Sequence, residues 1–293
     1  MPQETIRCGE RSAAGDRLSP AAALVRLHDR DRFQTALFAP VAQREALFAL
    51  YAFNYEIARV REIVHEEMLG RIRLQWWREA VEAAYAGRPP RRHEVVVPLT
   101  AAIRECGLSR SHLDALIDAR EADLDPGPPA TLAALETYCE ESSGRLMLLA
   151  GETLGLSGGA EGSLRHAGIA YGLAGLLRAM PYHAVAGRSY IPAALGVETG
   201  LDAADYRSGR SSPALRAAVA VVATRAQDHL AAARGNRTAI PRRGLAAVLP
   251  AVVASRFLAR LRRAGHDPFA RALAVPDPLQ SWRLLGAVLR NRF

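Results

Sequence analysis

The chain has 293 residues, 49% apolar and only 6% aromatic, with 38 basic against 30 acidic side chains and a formal net charge of +8. That is enough apolar material for a substantial core, and no run of 18 uncharged apolar residues predicts a transmembrane helix. Every basic residue is arginine; zinc spacings, RNA-binding sheet motifs and basic blocks are all missing, which disfavours nucleic acid and leaves either a solvated basic surface or contact with an anionic membrane or substrate. The cysteines Cys8, Cys106 and Cys139 are scattered and odd in number. With no CxxC pair they predict neither a disulfide framework nor a zinc site, and they fit a reducing compartment such as the cytoplasm.

The first segment, "MPQETIRCGERSAAGDRLSP", lacks the apolar core of a secretory signal and is read as a flexible tail over residues 1–20. From residue 21 to 293 the pattern is that of one all-α domain. In "ALYAFNYEIARVREIV" (49–64), Leu50, Phe53, Ile57, Val60 and Val64 recur at spacings of three and four, the stripe of a buried helix. A second helix covers "MLGRIRLQWWREAVEAAYAG" and stops at Gly87; Trp76 and Trp77, about 100° apart on a helix, cannot face the same way. "HEVVV" is too short to build a sheet. A helix starting after Pro98 ends at Gly107, and the next has Ser109 as a candidate cap. "TLAALETYCEESSGRLMLLAGETLG" reads as one long helix. "EGSLRHAGIAYGLAGLLRAM" reads as another, stopped or kinked near Pro181, with Gly168, Gly172 and Gly175 available for close packing. Asp123, His166 and His183 are lone polar residues expected in caps or surface contacts. Two helices, "SSPALRAAVAVVATRAQDHLAAARG" and "GLAAVLPAVVASRFLARLRRAG", and a short one over 277–290 complete the chain. No GxxxxGK[ST], GxSxG or HExxH motif occurs.

The order of these segments resembles the squalene/phytoene synthase family over roughly residues 21–289. "ALYAFNYEI" is similar to its first-motif helix, and "WWREAVEAAYAGRPP" to its second helix. "LETYCEESSGRLMLLAGETLG" is similar to its tyrosine–cysteine helix, and "GIAYGLAGLLRAMPYHAVAGRSYIP" to its second metal helix and the loop after it. The resemblance implies a single-domain isoprenoid-synthase helical bundle with a central apolar cavity. In that family two aspartate-rich motifs face each other and hold Mg²⁺ against the diphosphates of two prenyl substrates. Magnesium needs hard oxygen ligands, and it neutralises the leaving diphosphate.

Aligned on this resemblance, the first motif's aspartate positions fall on Ala58, Arg59 and Glu62, and Arg59 and Glu62 are spaced to pair with each other. The second motif's aspartates fall on Ala179 and His183, and its asparagine and glutamine on Gly175 and Gly172. Pro181 interrupts the helix between them. Arg178, Arg188 and Tyr190 survive; the two arginines are expected in structural ion pairs, and the alternative makes all three the candidates for contact with an anion or a lipid diphosphate. The pattern predicts no catalytic residue, no metal and no cofactor. "NYEIARVRE" and "LLRAMPYHA" resemble one branch of the family, the respiratory complex I assembly factor and its bacterial relatives, in which the metal positions are also lost. That implies a non-catalytic assembly role with complex I subunits or other assembly factors as partners. It also implies an isoprenoid or other lipid as candidate ligand, and a peripheral position on the cytoplasmic side of a bacterial inner membrane. The alternative is a head-to-head prenyl diphosphate synthase with atypical metal ligands, which would require Mg²⁺. The apolar, arginine-rich stretch 244–263 is the expected membrane-facing helix.

Overall fold

The computed structural model describes residues 18–64, 66–125, 127–156 and 158–293. Cys8 and most of the expected tail lie outside these residues; Ser19 and Pro20 already belong to the first helix. The Ser19 hydroxyl accepts from the Ala22 N–H and caps α1 (Pro20–His28); proline at the first position gives up an N–H that would be unpaired there. Asp29 caps α2 (Arg30–Ala36) in the same way.

The apolar stripe of 49–64 is buried along its length, but it runs over two helices: α3 (Val41–Ala58) ends at Arg59 and α4 (Val60–Ile63) follows it. α5 (Glu67–Tyr85) follows, with Gly87 turning the chain at φ 70°. Trp77 is buried and Trp76 only partly so, their rings perpendicular at 5.0 Å between centroids. α6 (Val96–Cys106) begins two residues before Pro98, which sits in the first turn where proline is tolerated, and ends in left-handed Gly107. Ser109 precedes α7 (Arg110–Glu121), yet its hydroxyl does not cap the helix. It donates instead to Glu152 at 2.5 Å, tying α7 to a later element.

The long helix expected over 131–155 is divided. α8 (Leu132–Cys139) and α9 (Arg145–Thr153) are joined by a five-residue π turn, Glu140–Gly144. The Ser142 hydroxyl donates to the Tyr138 carbonyl at 2.6 Å, taking up an acceptor of the widened turn. α10 (Glu161–Arg178) breaks at Ala179, and α11 (Met180–Val185) carries Pro181 in its first turn. α12 (Ala193–Thr199), α13 (Ala203–Arg207) and α14 (Pro213–Gly235) follow. α15 (Leu245–Val248), α16 (Pro250–Arg263), α17 (Arg271–Ala274) and α18 (Gln280–Leu289) close the chain.

Two helices organise the core. α3 packs on α1, α6 and α9, and α10 packs on α14, α16, α9 and the π turn. Small residues allow the second set to approach closely. A Cβ on Gly168 would lie 2.6 Å from Gly144 Cα and 2.8 Å from the Ser143 carbonyl, and one on Gly172 would lie 3.1 Å from Cys139 and Ser143 Cβ. Gly175, one turn on, has nothing within 4 Å. The helix over 250–263 is not a membrane-facing element: Val253, Ala254, Phe257, Leu258 and Leu261 are buried in the core. Among the described residues there is no strand, and no single helix is long and apolar enough to cross a membrane.

Candidate functional site

Beyond the breaks at Arg59 and Ala179, the short helices α4 and α11 come to one opening. A cleft of about 460 Å³ lies there, lined by Ala58, Arg61, Glu62 and Val64 from one side and by Tyr182, His183, Arg188 and Tyr190 from the other, with Asp123 at its floor. Three of the degenerate motif positions, Ala58, Glu62 and His183, therefore face one another across one space. Arg59 and Ala179 do not line it. Arg59 does not pair with Glu62: its guanidinium donates to Glu56 at 3.1 Å and lies over the Tyr55 ring. As the residue after the last helical turn of α3, it points back along that helix. The apolar space beneath the cleft is smaller than a central cavity would be. About 10 Å³ remains between Leu135, Leu177, Met180, Ile191 and Val222, because bulky side chains fill it.

The cleft's floor is an ion-pair network. Asp123 follows α7 in a short 3-10 turn and is 5% exposed. Its carboxylate accepts from Tyr190 Oη at 2.7 Å, Tyr138 Oη at 2.9 and 3.1 Å, Arg120 at 3.2 Å and Arg188 at 3.3 Å. Arg188 also donates to the Asp123 carbonyl at 2.6 Å. Arg120 reaches on to Tyr138 Oη at 2.9 Å and Asn54 at 3.3 Å. Burial, with the Asp123 charge close by, holds the Tyr138 and Tyr190 hydroxyls well above the usual tyrosine range, so both are protonated donors. The chain can deliver Arg188 here because Gly187, at φ 69°, reverses it after α11, and the Arg188 N–H bonds back to the His183 carbonyl at 2.8 Å. Asp123 is thus not a cap or a surface contact but the hub that joins α7, α8 and the loop after α11. One signal for it exists in the sequence: Arg120 precedes it by three residues, a spacing that pairs.

The surviving residues divide. Arg188 and Tyr190 are in the cleft, whereas Arg178 is on the far side of the helix break. It pairs with Asp31 of α2 at 2.6 Å and borders a second opening, of about 490 Å³, between α2, α16 and residues 273–281. A magnesium ion of the kind the fold family holds does not fit the residues present in the cleft. Both Asp123 oxygens are committed, Ala58 offers no oxygen, and Arg61 brings a further cation into the cleft lining. Glu62 alone remains as an acid at the rim, far short of the near-octahedral oxygen shell the ion demands. Arg61 and Arg188 both line the cleft, so its wall is cationic and suits an anionic group; their Nε atoms are buried and have no partner among the described residues.

His183 is pushed down to about 4, chiefly by burial and then by the Arg188 charge, with Asp123 opposing. It is therefore neutral at physiological pH. Because the folded value lies below the unfolded one of about 6.5, the unfolded chain takes up the proton first. The stability that neutral His183 contributes is complete above about pH 6.5 and is lost as pH falls towards 4. His183→Gln is expected to flatten the fall in urea midpoint across that window relative to wild type; parallel curves would remove His183 from the account.

A family model described as squalene/phytoene synthase matches residues 25–283. The chain belongs to the squalene/phytoene synthase family. It falls in a divergent branch. The protein named NADH dehydrogenase (ubiquinone) complex I, assembly factor 6 of Bos taurus is 30% identical over 96% of this chain and 88% of its own length. The Homo sapiens protein of that name is 30% identical over 89% and 80%. A presqualene diphosphate synthase of Rhodopseudomonas palustris is 32% identical over 70% of this chain and 73% of its own. Solved family structures share the fold. The squalene synthase HpnC of Alicyclobacillus acidocaldarius superposes with a TM-score of 0.75 at 23% identity, covering 85% of this chain and 94% of its own. A dehydrosqualene synthase does so at 0.79 and 15%, covering 92% and 94%.

Proposed function

We propose that this family member is a non-catalytic assembly factor for respiratory complex I that works from the surface of a membrane. The observation that supports this most is the floor of the cleft. Where a synthase would hold two carboxylate motifs around magnesium, this chain has a closed arginine–aspartate–tyrosine network, with Ala58 and His183 at the cleft's motif positions. Such a network keeps a shape and leaves no uncommitted acid pair for metal-assisted diphosphate loss. The relatives named as assembly factors match most of the chain, which supports the same role. Its partners are then complex I subunits or other assembly factors, on the cytoplasmic side of the inner membrane if the source is bacterial. The arginine-lined wall of the cleft suits a phosphate-bearing isoprenoid or lipid.

The test is a deletion strain assayed for two quantities. Lower NADH:quinone activity with unchanged squalene, hopanoid and carotenoid is the expected result; normal NADH:quinone activity with depleted isoprenoid would overturn the reading. The relative named presqualene diphosphate synthase favours a second reading, a prenyl transferase with Glu62 as its remaining acid. Under the first reading the purified chain releases no diphosphate from farnesyl diphosphate with Mg²⁺. Restoring aspartate at Ala58, Glu62, Ala179 and His183 together also creates no activity, because Arg59, Pro181, Gly172 and Gly175 remain in place of the family's residues.

A further inference from the structure

The structure points to the outer face of α18 as the surface that docks on an anionic lipid bilayer; we infer this on top of the membrane-surface reading above. α18 is held on the fold by one face, with Leu284 1% exposed and Ala287 and Val288 partly buried. At about 100° per residue, a different face carries Trp282, Leu285 and Leu289, which are 70%, 37% and 67% exposed. Val275 and Leu279 extend the same apolar region upstream, at 59% and 50%. A contiguous exposed apolar stripe ending in a tryptophan is not what an ordinary solvated helix presents.

The helix is an ordered platform. Gln280 Nε2 donates to Asp31 and to Gln34, both at 2.8 Å, Arg260 donates to the carbonyls of Ala272 and Val275, and Arg234 donates to the Phe293 carbonyl at 2.8 Å.

Charge identifies what covers the stripe. After residue 228 the chain has twelve arginines and two acids, Asp267 and Asp277, whereas residues 1–228 carry two more acids than arginines. The whole positive excess of the protein thus lies in its C-terminal quarter. Arg262, Arg263, Arg271, Arg290 and Arg292 are all exposed there, while α18 itself contains no acid. Of the two acids, Asp277 is already paired with Arg283. Arginine beside a tryptophan–leucine stripe matches an interface in which the indole and leucines enter the headgroup boundary and the guanidinium groups meet anionic headgroups. A second copy of this chain would bring the same positive field against itself, which disfavours a self-association through this face.

The experiment uses the full chain with vesicles of phosphatidylcholine alone and of phosphatidylcholine mixed with phosphatidylglycerol. Wild type is expected to float with the mixed vesicles, less so in high salt, and its tryptophan emission to shift to the blue. Trp282→Phe should lose the blue shift and keep most of the binding. The triple variant Trp282→Ser, Leu285→Ser, Leu289→Ser should lose partitioning by about tenfold or more, since an amphipathic face binds in proportion to its apolar area. Trp282 and Leu289 are on the surface and Leu285 only partly buried, so the variant should stay folded, with a melting temperature within a few degrees of wild type. A control with Val185→Ser and Val197→Ser, which are 89% and 84% exposed elsewhere, should bind as wild type. If wild type fails to bind either vesicle, the membrane-surface reading and this inference fall together. If wild type binds and the triple variant binds equally, the inference falls alone. A wild-type dimer that the triple variant converts to monomer, with vesicle binding intact, would assign the stripe to a second copy and overturn the inference.

Discussion

Asp123→Ala is expected to be among the most damaging single substitutions in the protein. Arg120 and Arg188 are only 12% and 14% exposed, and both rely on the Asp123 carboxylate. Removing one member of a buried ion pair leaves an uncompensated charge, at a cost of about 3–5 kcal/mol, here with two arginines affected. In a domain of this size that lowers the melting temperature by roughly 6–12 °C. Asp123→Asn keeps an oxygen acceptor without the charge and should fall between. Tyr190→Phe removes one hydrogen bond to a carboxylate and should cost about 1.5 kcal/mol. The sign carries functional meaning. An acid retained to bind a metal or substrate is commonly strained, and its removal often stabilises the fold. An unchanged or raised melting temperature for Asp123→Ala would show that this carboxylate is kept for a ligand and not for the framework.

Gly168→Ala should rank with it. A new Cβ would meet Gly144 Cα at 2.6 Å and the Ser143 carbonyl at 2.8 Å. These are backbone atoms of the π turn, so no side chain can swing aside, and α10 must move away from its neighbour. Overpacking usually costs about 1–3 kcal/mol, and the backbone obstacle places this case at or above the upper end. Gly175→Ala on the same helix is the control. It meets nothing within 4 Å and should raise stability by about 0.5–1 kcal/mol through helix propensity alone. Thermal denaturation of the pair decides the matter; equal effects would remove close backbone contact as the reason for Gly168.

Much of the helical framework could be read from the amino-acid order, because it is written in local terms. The stripe from Leu50 to Val64, the stops at Gly87 and Gly107 and the break near Pro181 all follow from periodicity and turn chemistry over a few residues. The break at Arg59 and the π turn at 140–144 carried no such mark: neither proline nor a left-handed glycine stands at either, and tertiary packing produces them. The site was legible at the motif positions Ala58, Glu62 and His183, which the structure does bring to one cleft, and at Arg188 and Tyr190. At Asp123 only the local Arg120 spacing was legible; its other partners stand at 138, 188 and 190 and converge only in three dimensions. Arg178 and Arg188 are ten residues apart and look like one cluster in the sequence. The reversal at Ala179 and Gly187 sends them to different openings.

The clasp between Gln280 and α2 spans 249 residues to Asp31 and 246 to Gln34. During synthesis α1 can settle on α3 as soon as both have emerged. α2, however, has its outer side covered by α15, α16 and Gln280, all from the last sixth of the polypeptide. While the ribosome still holds that segment, Asp31 is paired with Arg178 of α10, Gln34 faces water, and the N-terminal layer stays open on one flank. Completion of the fold is therefore coupled to release of the nascent chain, and a message truncated before residue 280 would yield a product whose beginning, as well as its end, is exposed to proteases.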